Sequence, residues 1–244
     1  DIAGTVESIA EITPEVLHTC YQAFYHLSNM ALCLCGRLGD VDALAAEIDA
    51  CLKETKPLRI ERFTVEEPDR IVIPRVEKKL SVSVPLFTFG YKEKAADLAS
   101  DAKTRAADEL ITQMLNEIIA GQSSDFYEQM YQKGWINQTF ASEYMASRGY
   151  GVNMFSGESE NPDALFAAFR DNVKAYRERG IDPADVERAR KIVYARLVRE
   201  FNSVENLANT QLSCYFMGVD LFDYLHIAKE ITVEHVRERF ASLF

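Results

Sequence analysis

Apolar positions recur along most of this chain at helical spacing, interrupted by a few runs that alternate as strands do. Thr13-Pro14-Glu15 supplies an N-cap, a proline at the first helical position and an acid in the first turn. Val16, Leu17, Cys20, Tyr21 and Phe24 then share one face, which predicts a helix to about His26, broken by Asn29. Residues 30–35 form an apolar run ended by Gly36 and read as a buried strand. Asp40 caps a second helix with Leu44, Ile48 and Leu52 on one face, completing an α–β–α unit that ends near Pro57.

The character changes after Pro57. Pro57, Pro68 and Pro74 sit among charges with no helical period, so residues 57–78 read as a connector. Leu80, Val82 and Val84 alternate with Ser81 and Ser83, predicting a half-buried strand that runs past Pro85 toward Phe89-Gly90-Tyr91, with Pro85 marking an edge or a bulge. A long helix follows, with Leu98, Ala102, Ala106, Leu110, Met114 and Ile118 four apart, stopped by Gly121. Ser123 and Ser124 cap a short helix over 125–133, and residues 139–146 and 150–156 read as a hairpin. Asn161-Pro162-Asp163 opens a helix facing Leu165, Phe166, Phe169, Val173 and Tyr176 inward, ended by Gly180. Asp182-Pro183 opens the next, carrying Val186, Ala189, Val193, Leu197 and Phe201; more helix is expected over 205–216, and a last one from Thr232. This order is not a regular βαβ alternation. It predicts an α+β fold, an antiparallel or mixed sheet with helices on one face.

Two of these helix starts resemble each other. Glu11-Ile12-Thr13-Pro14-Glu15 matches Glu230-Ile231-Thr232-Val233-Glu234 at an offset of 219 residues, which sets Leu17 against Val236, Tyr21 against Phe240 and Phe24 against Leu243. A duplicated domain is the reading this suggests. The first copy then continues into a strand and another helix, whereas the second stops at Phe244. The chain, which begins with Asp1, is expected to be an interior piece of something longer, with its second domain short of a closing strand.

Composition narrows the classes. The 244 residues are 48% hydrophobic and 27% charged, enough for one large core or two modest ones. A net charge of −11 opposes nucleic acid and anionic membranes, since phosphate binding needs a stripe of Lys and Arg. No apolar run approaches the roughly 20 residues of a membrane helix, and no export segment opens the chain. Five cysteines cannot all pair, and the Cys33-x-Cys35 pair has no companion at metal-ligand spacing, so buried reduced thiols in a cytoplasmic protein are expected.

Ordered short motifs carry a family resemblance over almost the whole chain. Gly4-Thr5-x-Glu7-Ser8-Ile9, Ile12-Thr13-Pro14-Glu15, Phe24-Tyr25 and Ser28-Asn29-Met30 resemble the close of the first domain of pitrilysin/insulinase-type zinc peptidases, which include insulysin and the mitochondrial processing peptidase. Gly121-x-Ser123-Ser124-x-Phe126-Tyr127 resembles a helix start of their second domain. Ile181-Asp182-x3-Val186-Glu187-x3-Lys191 and Asn202-Ser203-x-Glu205 resemble its late helices. The resemblance implies a metallohydrolase-like fold, with residues 1–57 ending a zinc-bearing first domain, 58–78 a linker and 79–244 a non-catalytic second domain. Two such halves close like a clamshell on a peptide.

The family's zinc is held by an inverted His-x-x-Glu-His helix, where the helix sets both His on one face and the metal activates a water. Here the four His, at 18, 26, 226 and 235, form no such motif. No catalytic or metal residue is therefore assigned to this chain, and zinc is expected only in the parent protein. The family's substrate-gripping Arg and Tyr fall in a stretch that reads Tyr131-Gln132-Lys133-Gly134-Trp135-Ile136-Asn137, with neither in place. Tyr131, Lys133 and Asn137 are the candidate substrate-binding residues.

The function implied is a lid domain that helps bind an extended peptide, with no catalysis of its own. A scaffold or partner subunit of a heteromeric peptidase-like complex, linked in one bacterial subgroup to modification of elongation factor P, is the alternative. An unrelated acidic α+β interaction domain is a third. The partners expected are a peptide or protein substrate, the rest of the first domain and a homo- or hetero-oligomer, without nucleic acid or membrane.

Overall fold

A computed structural model describes residues 3–52, 55–61, 63, 67–94, 101–147 and 149–244. The chain divides into two units, Asp1–Phe63 and Thr64–Phe244.

Among its described residues the first unit holds three α-helices, α1 (Val6–Ala10), α2 (Pro14–Phe24) and α3 (Val41–Cys51). Their starts follow the caps in the sequence: Thr13 Oγ1 accepts from the Val16 amide at 3.4 Å and Asp40 Oδ1 from the Ala43 amide at 3.0 Å. Asn29 donates its side-chain amide to the Phe24 carbonyl at 3.1 Å, closing the end of α2. Residues 30–35 differ from expectation. They are extended, with Ala31, Cys33 and Cys35 half-buried in alternation, but they form no strand, because no described segment pairs with them. A ladder requires a neighbour to accept its amides. The thiols differ as well: Cys20 and Cys51 are exposed, Cys33 and Cys35 half-buried, and Cys214 alone is buried, all five free.

No described residue of this first unit is buried. Its capped helix α2 nonetheless has an apolar face, and its repeat partner shows what such a face does when covered. Val236, Phe240 and Leu243 are 0%, 7% and 6% exposed, whereas Leu17, Tyr21 and Phe24 are 60%, 60% and 64% exposed.

The second unit starts with an irregular stretch and then β1 (Leu86–Lys92), α4 (Ala102–Ala120), α5 (Asp125–Gln132), β2 (Ala141–Ser147) and β3 (Tyr150–Glu158). Five helices follow: α6 (Pro162–Arg179), α7 (Pro183–Glu200), α8 (Val204–Met217), α9 (Leu221–Glu230) and α10 (Val233–Leu243). The strand expected from Leu80 begins only after Pro85, whose carbonyl accepts from the Ser159 amide at 3.0 Å. Proline lacks the amide a continuing ladder needs, so the strand opens beyond it. Leu98, expected on the long helix, lies outside the described residues. Helix α9, absent from the expected order, starts at Asp220 in a capping box just after the left-handed Gly218 that ends α8.

The three strands form an antiparallel sheet in the order β1-β3-β2. The hairpin register pairs Ser147 with Tyr150, and Gly149 sits in the turn at φ 94°, a conformation glycine adopts without steric cost. Phe87, Phe89 and Tyr91 of β1 lie on the same face as Phe155 and Asn153 of β3 and as Ser142, Tyr144 and Ala146 of β2. This face meets the core. Phe169 of α6 stands 4.5 Å from the Phe155 ring, 5.0 Å from Phe89 and 5.5 Å from Phe126. Phe166, expected inward beside it, keeps 38% of its surface exposed. Leu110, Met114, Leu115, Ile118 and Ile119 of α4 fill the centre, with Val186 and Val193 of α7 and Val236 of α10. The fold is α+β, as the element order implied.

Candidate functional site

Strand β2 is the least enclosed element of the sheet. Six of its seven residues are exposed, and Tyr144 alone is half-buried. Its other edge faces no strand among the described residues. It carries neither the proline nor the lysine that commonly blunt an open edge, whereas β1 is preceded by Pro85 and ends at Lys92. Small residues (Ala141, Ser142, Ala146, Ser147) leave its backbone accessible, with a single acid, Glu143.

Beneath β2 lies a buried polar cluster. Glu93, just past β1, takes both guanidinium nitrogens of Arg239 from α10, at 2.5 and 2.9 Å. Arg239 Nε donates to Thr112 Oγ1 of α4 at 2.9 Å, and the Tyr144 hydroxyl donates to Glu93 at 2.5 Å. The Arg239 guanidinium also lies 5.2 Å from the centre of the Tyr144 ring. Burial, and then the hydrogen bond to Glu93, push the Tyr144 hydroxyl well above the ordinary phenol range. Beside this cluster Asn116 and Asn153 exchange two hydrogen bonds of 2.8 Å in full burial. Sequence reading passed over Arg239. The signal was present: a charge three residues after Val236 and beside Phe240 interrupts the apolar stripe of α10 and calls for a buried partner.

The candidate substrate residues run from the last turn of α5 into the loop after it. Tyr131 is exposed and stacks on Tyr127 at 6.0 Å, and Lys133 sits 5.0 Å over the Trp135 ring. Asn137 is engaged within the fold: its oxygen accepts from the Thr139 amide at 2.8 Å and its amide donates to Glu158 at 2.8 Å. The structure gathers Tyr131 and Lys133 around the end of α5 and sets Asn137 in the loop that leads into β2.

No group of three or more metal-ligating side chains stands together among the described residues. His26 and His235 each use Nδ1 to accept a backbone amide, from Ser28 at 3.1 Å and from Thr232 at 3.2 Å. These residues do not fit the family's zinc.

A polar cleft of about 450 Å³ lies between the starts of α5 and α7. Arg188 pairs with Asp185 at 2.5 Å, Arg237 pairs with Glu234 at 3.3 Å, and Ser124 and Asp182 already cap the helix starts. Elsewhere burial raises the Cys214 thiol to about 11 and keeps it protonated at neutral pH.

Burial also raises the Glu109 carboxyl, partly opposed by the Tyr224 hydroxyl, which donates to it at 2.9 Å. A carboxyl raised on folding contributes its full stability below its unfolded pKa and loses it as the pH climbs through the folded value. Glu109→Gln is therefore expected to raise the melting temperature at pH 7 and to leave it unchanged near pH 4, where the wild-type carboxyl is already neutral. Equal gains at both pH values in a thermal scan would contradict this.

Comparison with known proteins places the chain. Residues 11–193 match the peptidase M16 inactive domain. The chain is 32% identical over 240 residues to the uncharacterized zinc protease YmfH of Bacillus subtilis (strain 168), covering 97% of this chain and 55% of that protein. An M16-like peptidase from Alicyclobacillus acidocaldarius aligns with a TM-score of 0.83 at 28% identity, over 99% of this chain and 58% of that one. A protease from Helicobacter pylori shares the fold at a TM-score of 0.78 and 17% identity, over 99% of this chain and 58% of that one. The chain thus spans a little over half the length of these relatives, and it belongs to the pitrilysin-type peptidase M16 family through that family's inactive domain.

Proposed function

We propose that this chain is the peptide-gripping, non-catalytic half of a zinc-dependent endopeptidase. In this reading residues 1–57 end a zinc-bearing first domain, 58–78 link, and 79–244 close over an extended peptide, in a cytoplasmic protein that keeps its thiols reduced. The observation that carries it is the open, unblunted edge of β2 in a family-typed inactive domain. An extended peptide adds to such an edge by main-chain hydrogen bonds, as a further strand. Tyr131 offers an exposed ring for its side chains, and Asn137 orders the loop into β2. Zinc chemistry belongs to the remainder of a longer protein. That the chain covers 55% of YmfH supports this division. So does the exposed face of α2, whose repeat partner α10 is buried against α4 in the second unit.

The acidic net charge of −11 suits a basic peptide. A fluorescein-labelled dodecapeptide of alternating lysine and valine is expected to bind with a micromolar dissociation constant that weakens as salt rises, and to remain uncut by mass spectrometry with zinc added. No change in anisotropy at high protein concentration, or cleavage by the chain alone, would sink the proposal.

One observation favours a second reading. The stretch from Tyr131 to Asn137 lacks both the arginine and the tyrosine of the peptide-gripping pattern. A chain of this kind could serve as a scaffold or partner subunit, including one tied to modification of elongation factor P. It would then bind a folded protein and leave the peptide unbound.

A further inference from the structure

We infer that Tyr144 is a positioning residue that sets the peptide-accepting edge of β2, acting through Glu93 and Arg239. The inference rests on the proposed peptide reading. Ala141, Glu143, Met145 and Ser147 face away from the core and are exposed, and Ser142 and Ala146 on the inward face are exposed as well. Beyond its ladder to β3 and its approach to α4, β2 has one half-buried side chain, Tyr144. The Tyr144 hydroxyl reaches Glu93 at 2.5 Å, while Arg239 holds the same carboxylate with two hydrogen bonds and is itself fixed to Thr112.

This arrangement has a consequence for binding. An edge strand that accepts a peptide must hold its free amides and carbonyls in register before the peptide arrives, or the peptide has to order the strand as it binds. Thr112 lies on α4, Arg239 on α10 and Glu93 beyond β1, so Tyr144 references β2 to three separate elements at one point. Its same-face neighbours in the strand, Ser142 and Ala146, are small and exposed.

Tyr144→Phe removes the hydroxyl and keeps the ring. Tyr224→Phe is the control, since it removes a like hydroxyl-to-carboxylate bond, to Glu109, between α9 and α4. With the lysine–valine dodecapeptide as probe, Tyr144→Phe is expected to bind about ten-fold more weakly. Its β2 amides should exchange faster, and the urea midpoint should fall no further than that of Tyr224→Phe. Tyr224→Phe should bind as the wild type does. The inference is overturned if Tyr144→Phe binds like the wild type, or if both variants lose affinity alike, which would mark a general structural effect. If the wild type itself does not bind the peptide, the functional proposal fails and takes this inference with it.

Discussion

Arg239→Met is expected to cost the second unit about 3–5 kcal/mol, because it strands the Glu93 carboxylate in the interior with only the Tyr144 hydroxyl to answer it. The side chains of Arg239 and Glu93 are 7% and 4% exposed, so water cannot replace the lost partner. The measurement is urea unfolding followed by Trp135, the chain's single tryptophan. The double variant Glu93→Leu with Arg239→Met is expected to recover most of that loss. Removing both charges removes the desolvation cost along with the attraction, and apolar replacements of a buried ion pair are often neutral or better. A double variant as unstable as the single one would mean that the pair is strongly net stabilising rather than mutually compensating.

Phe169→Ala is expected to have an effect of similar size, again about 3–5 kcal/mol. Its ring is wholly buried and lies against Phe89, Phe126 and Phe155, joining α6 to α5 and to two strands. Truncation leaves a cavity bounded by rigid rings that cannot collapse into it. Phe166→Ala is the internal comparison. That ring lies 5.1 Å from Phe89 but is 38% exposed, so its loss is expected to cost less than half as much. Equal losses in urea would show that the two rings share the core equally.

The contrast between Phe166 and Phe169 also marks the limit of what the sequence displays. Helical spacing placed both on an inward stripe, and the caps at Thr13, Asp40, Ser124, Asp182 and Thr232 fell where the structure has them. Caps, glycine stops and two-residue hairpins are decided by neighbours within four residues, so they can be read locally. Strand existence cannot. Residues 30–35 are as apolar as a buried strand, yet without a described neighbour they form none, and the alternation at Leu80, Val82 and Val84 lies outside the sheet because Pro85 cannot extend it.

The buried cluster was further from view. Glu93 and Arg239 are separated by 146 residues, and no local rule pairs them. What the sequence did offer was a charge inside the apolar stripe of α10, and a tyrosine in β2 whose same-face neighbours, Ser142 and Ala146, are small. Tyr131, Lys133 and Asn137 stand in a family pattern that this chain only partly keeps. Their geometry distinguishes exposed Tyr131 from Asn137, whose hydrogen bonds stay within the loop.

Peptide capture at the edge of β2 is tested most directly by amide hydrogen exchange on the chain with and without the lysine–valine dodecapeptide. Binding as an added strand predicts slowed exchange at those β2 amides that do not donate to β3, with little change in the core of α4 and no cleavage of the peptide. Protection confined to other surfaces, with β2 exchanging as it does in the free chain, would contradict it.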